Sequence, residues 1–160
     1  VLKRMKRRHL RQDVIDFCDK VRALRADVTF GADIIAGFPT ETDEMAENTL
    51  RLVDECGLIY LHVFPYSARP GTPAARMPQV PKDIRKERAG ALRDAGEIQL
   101  NNFLKSRIGL TENVLVEKEN TGHTEHFAPV TLDRVIEPGT IAKAKVIGVE
   151  DGKLKAELAG

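Results

Sequence analysis

Apolar residues recur every three or four positions in three segments of the first half of the chain, the spacing of one face of an α-helix. The first predicted helix covers residues 11–25. Its apolar positions are Val14, Phe17, Cys18, Val21 and Leu24. The second helix is predicted to start at a capping box in residues 40–43 and to end at Gly57. Its buried positions are Met45, Thr49, Leu52, Val53 and Cys56. A third helix is predicted from Pro81 to about Ser106.

Two short segments between these helices, residues 32–38 and 59–64, are apolar at nearly every position. In residues 32–38 this pattern predicts a strand buried on both faces, as in a parallel sheet, and residues 59–64 are predicted to form a second strand. The alternation of helix and strand predicts a βα array with parallel strands. Two parallel strands cannot close a barrel, so we expect this part to belong to a larger sheet. Residues 65–79 contain four prolines, which predicts a loop.

The second half of the chain changes to short segments separated by turn residues. Strands are predicted at residues 113–118, 124–132, 140–149 and 152–158. The last of them alternates Leu154, Ala156 and Leu158 with charged residues, which is typical of a half-buried strand. We therefore predict an α/β fold in residues 1–106, followed by a small antiparallel, OB-like β-barrel in residues 107–160.

The composition, with 160 residues, 42% hydrophobic and 31% charged, is typical of one or two soluble domains. The net charge is only +1, but residues 1–25 are rich in Lys and Arg and form either a phosphate-attracting segment or a solvated helix face. Cys18 and Cys56 lie on apolar helix faces, which predicts buried free thiols and no metal site. No apolar run spans a membrane and no signal peptide is visible, so a cytoplasmic location is expected. The start at Val1, without Met, predicts that the chain is cut from a longer one.

The first candidate site follows the first strand, in the segment that holds Asp33, Gly37 and Glu41. Ligands of parallel sheets bind at the carboxyl ends of strands, beside the start of the next helix. A glycine leaves room for a ligand to approach the backbone, and a carboxylate can bind ribose hydroxyls or an amine. The alternative is a tight turn with a capped helix, which the spacing alone favours slightly.

Two further candidates are expected on the same rim. After the second strand, Phe64, Tyr66 and Arg69 could enclose an aromatic, charged ligand, or the prolines could simply make a rigid covering loop. Ahead of the first helix, the basic residues 2–9, including Arg7, could bind a carboxylate or RNA phosphate, or stay solvated. His62 lies within an apolar strand, and we interpret it as a core histidine.

The fourth candidate is a basic face on the β-domain. Lys143 and Lys145 share one face of a strand whose other face is apolar. The basic residues expected to flank them are Lys118, His123, His126, Arg134 and Lys153. Such a barrel suits nucleic acid. Phe127 is the only aromatic residue of this half other than histidine, which predicts weak base stacking and salt-sensitive binding through phosphates.

Three motifs resemble the radical-SAM methylthiotransferases in order and spacing. They are LKRMKR at residues 2–7, DIIAGFPTET at residues 33–42 and FPYSARPGTPAA at residues 64–75. The β-domain, with VLVE at residues 114–117 and then Gly122, resembles the TRAM domain of these enzymes. Arg69 resembles the tRNA-acting members. Residues 60–66 look most like the group that modifies N6-threonylcarbamoyladenosine, with the isopentenyladenosine group as the alternative.

The resemblance implies a partial radical-SAM (β/α) barrel followed by a TRAM domain. It also implies insertion of a methylthio group at C2 of the adenosine at position 37 in a tRNA anticodon loop, with S-adenosyl-L-methionine (SAM) and two [4Fe–4S] clusters as cofactors. By motif position, the residues that face SAM are Asp33, Gly37, Glu41 and Phe64, and Arg7 reaches its carboxylate or the RNA.

The chain departs from that family in lacking the three-cysteine motif that holds the radical-SAM cluster. We therefore expect the isolated chain to be inactive and to need an N-terminal part of the same polypeptide that carries the cluster ligands. Exposed strand edges could drive dimerisation. The rival interpretation is a non-catalytic RNA-binding module with an α/β support.

Overall fold

The computed structural model describes residues 1–159. By its internal contacts the chain divides into a first unit, Val1–Leu100, and a second unit that starts at Asn101. The division falls within the third helix, a few residues before the boundary placed at 106 from the sequence. No helix in the described part of the chain has the length and apolar character of a membrane span.

The first unit alternates helices and strands, as the apolar pattern predicts. Its elements are α1 (Arg11–Leu24), β1 (Phe30–Ala36), α2 (Asp43–Glu55), β2 (Leu58–Pro65), a short 3-10 helix (Ala74–Arg76) and the start of α3 (Lys82–Ser106). Strands β1 and β2 pair in parallel, with Asp33 beside His62 and Ile35 beside Phe64. The expected βα array is confirmed, and it contains a two-stranded sheet within the described residues.

A single apolar core lies between one face of this sheet and the helices. Its buried members are Cys18, Ala36, Val53, Cys56, Leu58, Val63, Ala89 and Leu92. The prediction that the first strand is buried on both faces is wrong, because Asp33 and Ile35 are exposed on the other face, as is His62 of β2. The predicted apolar stripe of α1 is also wrong at Phe17 and Leu24, which are 62% and 90% exposed.

Helix α2 begins later than a capping box in residues 40–43 would require. Thr42 is its N-cap, and the Thr42 hydroxyl accepts a hydrogen bond from the Met45 N–H at 3.3 Å. Asp43 is then the first helical residue, and the Thr40 N–H donates to the Pro78 carbonyl at 3.1 Å, so the predicted reciprocal box between Thr40 and Asp43 does not form. A threonine cap alone satisfies one of the free N–H groups at the helix start.

Helix α3 supplies side chains that cover the outer edge of β2. Arg93 donates to the Val63 carbonyl at 2.9 Å, and Arg85 donates to the Tyr66 carbonyl at 2.6 Å. Gly96 permits this approach, because a Cβ there would lie 2.8 Å from Leu61 Cδ1. An unpaired strand edge otherwise exposes carbonyl groups to other chains, so α3 reduces the edge available for the expected dimerisation.

The second unit is a closed five-stranded barrel in the order β3-β4-β5-β7-β6. Its strands are β3 (Thr111–Lys118), β4 (Thr121–Thr124), β5 (Pro129–Leu132), β6 (Ile141–Glu150) and β7 (Lys153–Leu158). The predicted small β-barrel is confirmed, with one parallel pairing, β5 with β7, that the hairpin pattern did not predict. Residues 124–132 form two strands rather than one, because the chain turns back between them.

The barrel interior follows the alternation of apolar and polar residues along each strand. Its buried aliphatic residues include Val114, Val116, Val130, Leu132, Ala142, Ala144, Val146, Leu154 and Ala156. Strands β3 and β4 approach closely at Gly122, where a Cβ would lie only 2.0 Å from the Leu115 carbonyl oxygen. Any side chain at that position would force the two strands apart, so the glycine is required by packing.

Candidate functional site

The two loops that follow the parallel strands lie against each other. The Tyr66 N–H donates to the Ala36 carbonyl at 2.8 Å, and the Phe38 and Tyr66 rings meet edge to face with centroids 5.4 Å apart. We call residues 36–41 and 65–69 the strand-end rim. The direct contact agrees with the expectation from the sequence that both candidate segments lie on the same rim.

The uncovered face of the sheet presents four side chains beside this rim. In the parallel register Asp33 lies beside His62, and Ile35 lies beside Phe64. All four are exposed, with Ile35 at 40% and Phe64 at 54%. The interpretation of His62 as a core histidine is therefore wrong. An apolar strand with one exposed face can place a histidine in solvent, and only the location of the helices identifies that face.

Gly37 does not offer open space to a ligand. Its φ is +71°, and a Cβ built there would lie 2.3 Å from Arg85 Cγ. Arg85 of α3 fills the room that a ligand was expected to use. A glycine is needed at position 37 because the backbone is left-handed there and the Arg85 stem packs against it. The assignment of Gly37 as a cofactor contact stays a prediction, and the space around Gly37 does not support it.

The Glu41 carboxylate is turned inward and bound by two donors. Its Oε1 accepts from the Gly37 N–H at 3.0 Å and from Arg88 Nη1 at 2.9 Å. The Glu41 and Arg88 side chains are only 5% and 13% exposed, whereas Asp43, which also bonds Arg88 at 2.6 Å, is fully exposed. Glu41 joins the rim to α3, so its expected contact with a ligand would require these bonds to be shared or broken.

The basic segment before α1 reaches the rim through Arg4. Arg4 Nη1 donates to the Thr40 carbonyl at 3.4 Å and also contacts the Thr40 hydroxyl. Arg7, the residue chosen from the sequence, is exposed, and its backbone N–H donates to the Leu2 carbonyl at 3.0 Å. The segment therefore lies on the predicted rim, but no sequence pattern distinguishes Arg4 from its basic neighbours.

A cavity of about 370 Å³ opens next to the rim, between the end of β1 and helices α2 and α3. Four of its lining residues carry carboxylates, and Arg88 is the single cation among them. The acidic residues are Glu41, Asp43, Glu47 and Glu87. The excess of carboxylates makes the cavity unfavourable for anions. Of its lining residues, only Ile35 also belongs to the exposed face of the sheet.

On the barrel, the predicted basic residues lie in two places. Lys143 and Lys145 are exposed on the outer face of β6, opposite Asn113 and Thr111 of β3. Neither lysine makes an ion pair within residues 1–159. Lys118 ends β3 and Arg134 follows β5 near Asp133, 3.9 Å away. The two β6 lysines form one surface, and the other two basic residues lie apart from it.

Two histidines of the barrel differ from the prediction. His126 is 8% exposed and meets the Phe103 ring with centroids 5.6 Å apart, so it does not flank the lysines. His123 stacks on Phe127, with centroids 4.4 Å apart and planes 10° from parallel. The sequence predicted weak stacking from the number of aromatic residues. It could not show that a turn would bring His123 against Phe127.

Comparison with known proteins identifies relatives along nearly the whole chain. The chain is 60% identical over 158 residues to "Threonylcarbamoyladenosine tRNA methylthiotransferase MtaB" of Rickettsia prowazekii, a match covering 99% of this chain and 38% of that protein. The chain is a homologue of tRNA methylthiotransferases. No family model matches it. It spans well under half the length of the curated relatives that it matches.

More distant methylthiotransferase relatives fall into both substrate groups. The chain is 33% identical to "tRNA-2-methylthio-N(6)-dimethylallyladenosine synthase" of Bartonella bacilliformis, over 99% of this chain and 36% of that protein. It is 35% identical to the MtaB of Chlamydia pneumoniae, over 98% of this chain and 38% of that protein. The resemblance to the methylthiotransferases drawn from the three motifs is therefore confirmed.

Two cysteines of this chain are buried in the core of the first unit. Cys18 and Cys56 are free thiols, 3% and 0% exposed, and both belong to the apolar core of the first unit. Burial, together with the Cys18 contact, raises the pKa of the Cys56 thiol to about 11. Protonated thiols are poor ligands for iron. No group of three or more ligating side chains occurs within residues 1–159, so these residues do not fit an iron–sulfur cluster.

Proposed function

We propose that this chain is the C-terminal part of a radical-SAM tRNA methylthiotransferase that acts on N6-threonylcarbamoyladenosine at position 37. The observation that carries the proposal is the 60% identity over 158 residues to a protein with that named activity. Contact between the two strand-end loops supports it, because it gives the motif-bearing segments one common rim. The isolated chain is expected to be inactive, since a preceding part of the polypeptide would hold both clusters.

The residues present fit SAM on the exposed sheet face. Asp33 and His62 offer a polar pair for an amine or ribose hydroxyls, and Ile35 and Phe64 offer a flat apolar surface for an adenine. Tyr66 of the adjoining rim is not counted among these groups, because its hydroxyl is buried. Bound SAM, with a reduced cluster from the rest of the enzyme, would supply the radical. Asp33 and Phe64 are thus proposed to face SAM, as their motif positions in the sequence also imply.

The barrel would hold the tRNA through its phosphates. Lys143 and Lys145 are exposed on one face of β6 and make no ion pair in the described part of the chain, which suits contacts that fix orientation without reading sequence. Lys118 and Arg134 would add phosphate contacts elsewhere on the barrel. A tRNA-modifying enzyme of this kind is expected in the cytoplasm, where its substrate is.

The second candidate is the dimethylallyladenosine activity, which is favoured by relatives between 33% and 42% identical, the more similar of them matching 72% of this chain. Mass spectrometry of tRNA nucleosides from a strain lacking the gene separates the two. We expect loss of the methylthio group from threonylcarbamoyladenosine and full methylthiolation of isopentenyladenosine. The opposite pattern would assign the second activity, and no change in either nucleoside would reject the enzyme proposal.

Complementation tests the role of the sheet face in the same strain. The gene encoding the whole polypeptide should restore the modification, whereas Asp33→Asn combined with His62→Ala should not. Phe17→Ser, an exposed change on α1 away from this face, is the matched control and should restore it. Restoration by the double variant would remove Asp33 and His62 from the site without affecting the substrate assignment.

A further inference from the structure

The stacked pair of His123 and Phe127 is the most exposed aromatic feature of the barrel. Phe127 is 67% exposed, although its ring covers one side of the imidazole. His123 Nδ1 lies 3.1 Å from Glu117 Oε2, which forms an ion pair when the imidazole is protonated. The phenyl ring therefore rests on a partner that is held in place, and its other face is open to solvent.

The backbone holds Phe127 in this position at an energetic cost. Its φ is +61°, a left-handed conformation that is strained for a bulky residue. The Phe127 N–H donates to the Thr124 carbonyl at 2.9 Å, and the Thr124 N–H donates to the Ala128 carbonyl at 3.0 Å. The buried Thr124 hydroxyl lies at the base of the same turn. Glycine or asparagine would suit the backbone of this turn better, so the turn itself does not require a phenyl ring.

Apolar side chains extend the ring pair across the barrel surface. Leu115 of β3 lies opposite His123 on one side and opposite Ile141 on the other. Leu115 is 45% exposed and Ile141 is 71% exposed. Directly opposed residues of antiparallel strands share a face. We call Leu115, His123, Phe127 and Ile141 the aromatic platform.

Cations adjoin the aromatic platform along β6. Lys143 follows Ile141 by two residues on the same face of the strand, which separates the two by roughly 7 Å. Lys145 continues the row. Two carboxylates near Lys143 are engaged, since Glu117 lies against His123 and Glu125 accepts from Asn113 Nδ2 at 3.0 Å. Glu157 of β7 lies opposite Lys145, so Lys143 is the lysine better placed for a phosphate. A flat apolar surface beside exposed lysines matches a base and its phosphate better than a purely apolar partner.

We propose that the aromatic platform binds an unpaired nucleobase of the substrate tRNA, which stacks on the open face of Phe127 while Lys143 contacts a neighbouring phosphate. This inference rests on the proposed binding of tRNA by the barrel and adds a residue that distinguishes single-stranded from paired RNA. Base–aromatic stacking tolerates any sequence because every base has a π-face. Phe127 then supplies affinity for unstacked nucleotides, and the lysines supply the salt-dependent part.

The test measures binding of the 160-residue chain to an anticodon stem-loop RNA that carries a fluorescent adenine analogue at an unpaired position. Phe127→Gly removes the ring and relieves the left-handed strain, so the fold should be retained, as circular dichroism can check. We expect about tenfold weaker binding, loss of the quenching caused by stacking, and an unchanged slope of affinity against salt. Phe127→Tyr should bind like the parent, and so should Val135→Ala, an equally exposed control outside the platform.

The paired variant Lys143→Ala with Lys145→Ala should behave differently. It should keep the quenching. The slope of log affinity against log salt concentration should become less steep by about one for each phosphate contact that is lost. Normal affinity and quenching in Phe127→Gly, with weaker binding in the lysine variant, would overturn the platform and leave tRNA binding intact. If the parent chain does not bind the RNA, both the aromatic platform and the proposed binding of tRNA by the barrel are rejected. A dimer that Phe127→Gly dissociates, with RNA affinity unchanged, would show that a second copy occupies the platform.

Discussion

The Tyr66 and Phe38 rings pack edge to face with centroids 5.4 Å apart, and this contact joins the two loops of the strand-end rim. Tyr66→Ala should lower the free energy of unfolding by about 2 kcal/mol, because it removes a half-buried aromatic contact. Tyr66→Phe should be neutral or slightly stabilising, because the buried hydroxyl has no partner within residues 1–159. Urea unfolding measures both. A stability loss in Tyr66→Phe comparable with that in Tyr66→Ala would show that the hydroxyl is bonded.

Gly37 should be intolerant of any side chain. Gly37→Ala introduces a Cβ at φ +71° and against Arg85 Cγ, so we expect a loss of about 2–3 kcal/mol in unfolding free energy. Gly71 is the matched control, since it has φ +82° and no atom within 4 Å of its built Cβ. Gly71→Ala should cost about 1 kcal/mol, from backbone strain alone. Equal losses at the two positions would mean that Arg85 moves aside freely.

The Glu41–Arg88 ion pair should stabilise the fold, whereas the Asp43–Arg88 ion pair beside it should not. Glu41→Gln should destabilise the first unit by about 2 kcal/mol, because the largely buried Arg88 guanidinium loses the negative charge of its buried partner. Asp43→Asn removes a fully exposed partner of the same arginine and should leave the stability essentially unchanged, because solvent screens that pair. Urea unfolding in low and high salt separates them, and a larger effect for Asp43→Asn would contradict the burial argument.

The Cys56 thiol should make the protein less stable at alkaline pH. Its pKa is about 11 in the folded chain, against 9.0 for an unperturbed thiol. Between these values the folded state binds more protons than the unfolded state, so the free energy of unfolding falls as pH rises, by on the order of 2 kcal/mol in total. Cys56→Ala should lower the stability at neutral pH and abolish this part of the alkaline decline. An unchanged decline in that variant would assign it to other groups.

The same burial predicts slow reaction of both cysteines with thiol reagents. In the native chain Cys18 and Cys56 should react at the rate of unfolding, because neither is exposed and the Cys56 thiol stays protonated at neutral pH. Reaction with a disulfide reagent, followed by absorbance with and without urea, measures the protection. Rapid labelling without urea would contradict the closed core.

The chain's apolar periodicity determined the order of its elements. Spacings of three to four predicted α1, α2 and α3, and short apolar runs predicted β1 and β2, because a helix or strand must bury a repeating face. Alternation in residues 141–158 predicted β6 and β7 for the same reason. The motif-bearing loops were predicted to share a rim because parallel strands end at one edge, and the contact between Phe38 and Tyr66 agrees.

Tertiary structure alone decided which face of each element is free. His62 is exposed because the helices cover the other face of β2, and Phe17 is exposed because α1 contacts the core through its other side. Arg85 fills the space at Gly37 from almost fifty positions away, and a turn places Phe127 on His123. Such contacts join residues distant in sequence or depend on one turn's geometry, so local pattern contains no signal for them. The sequence determined the kinds of elements, and packing determined which of their side chains can meet a ligand.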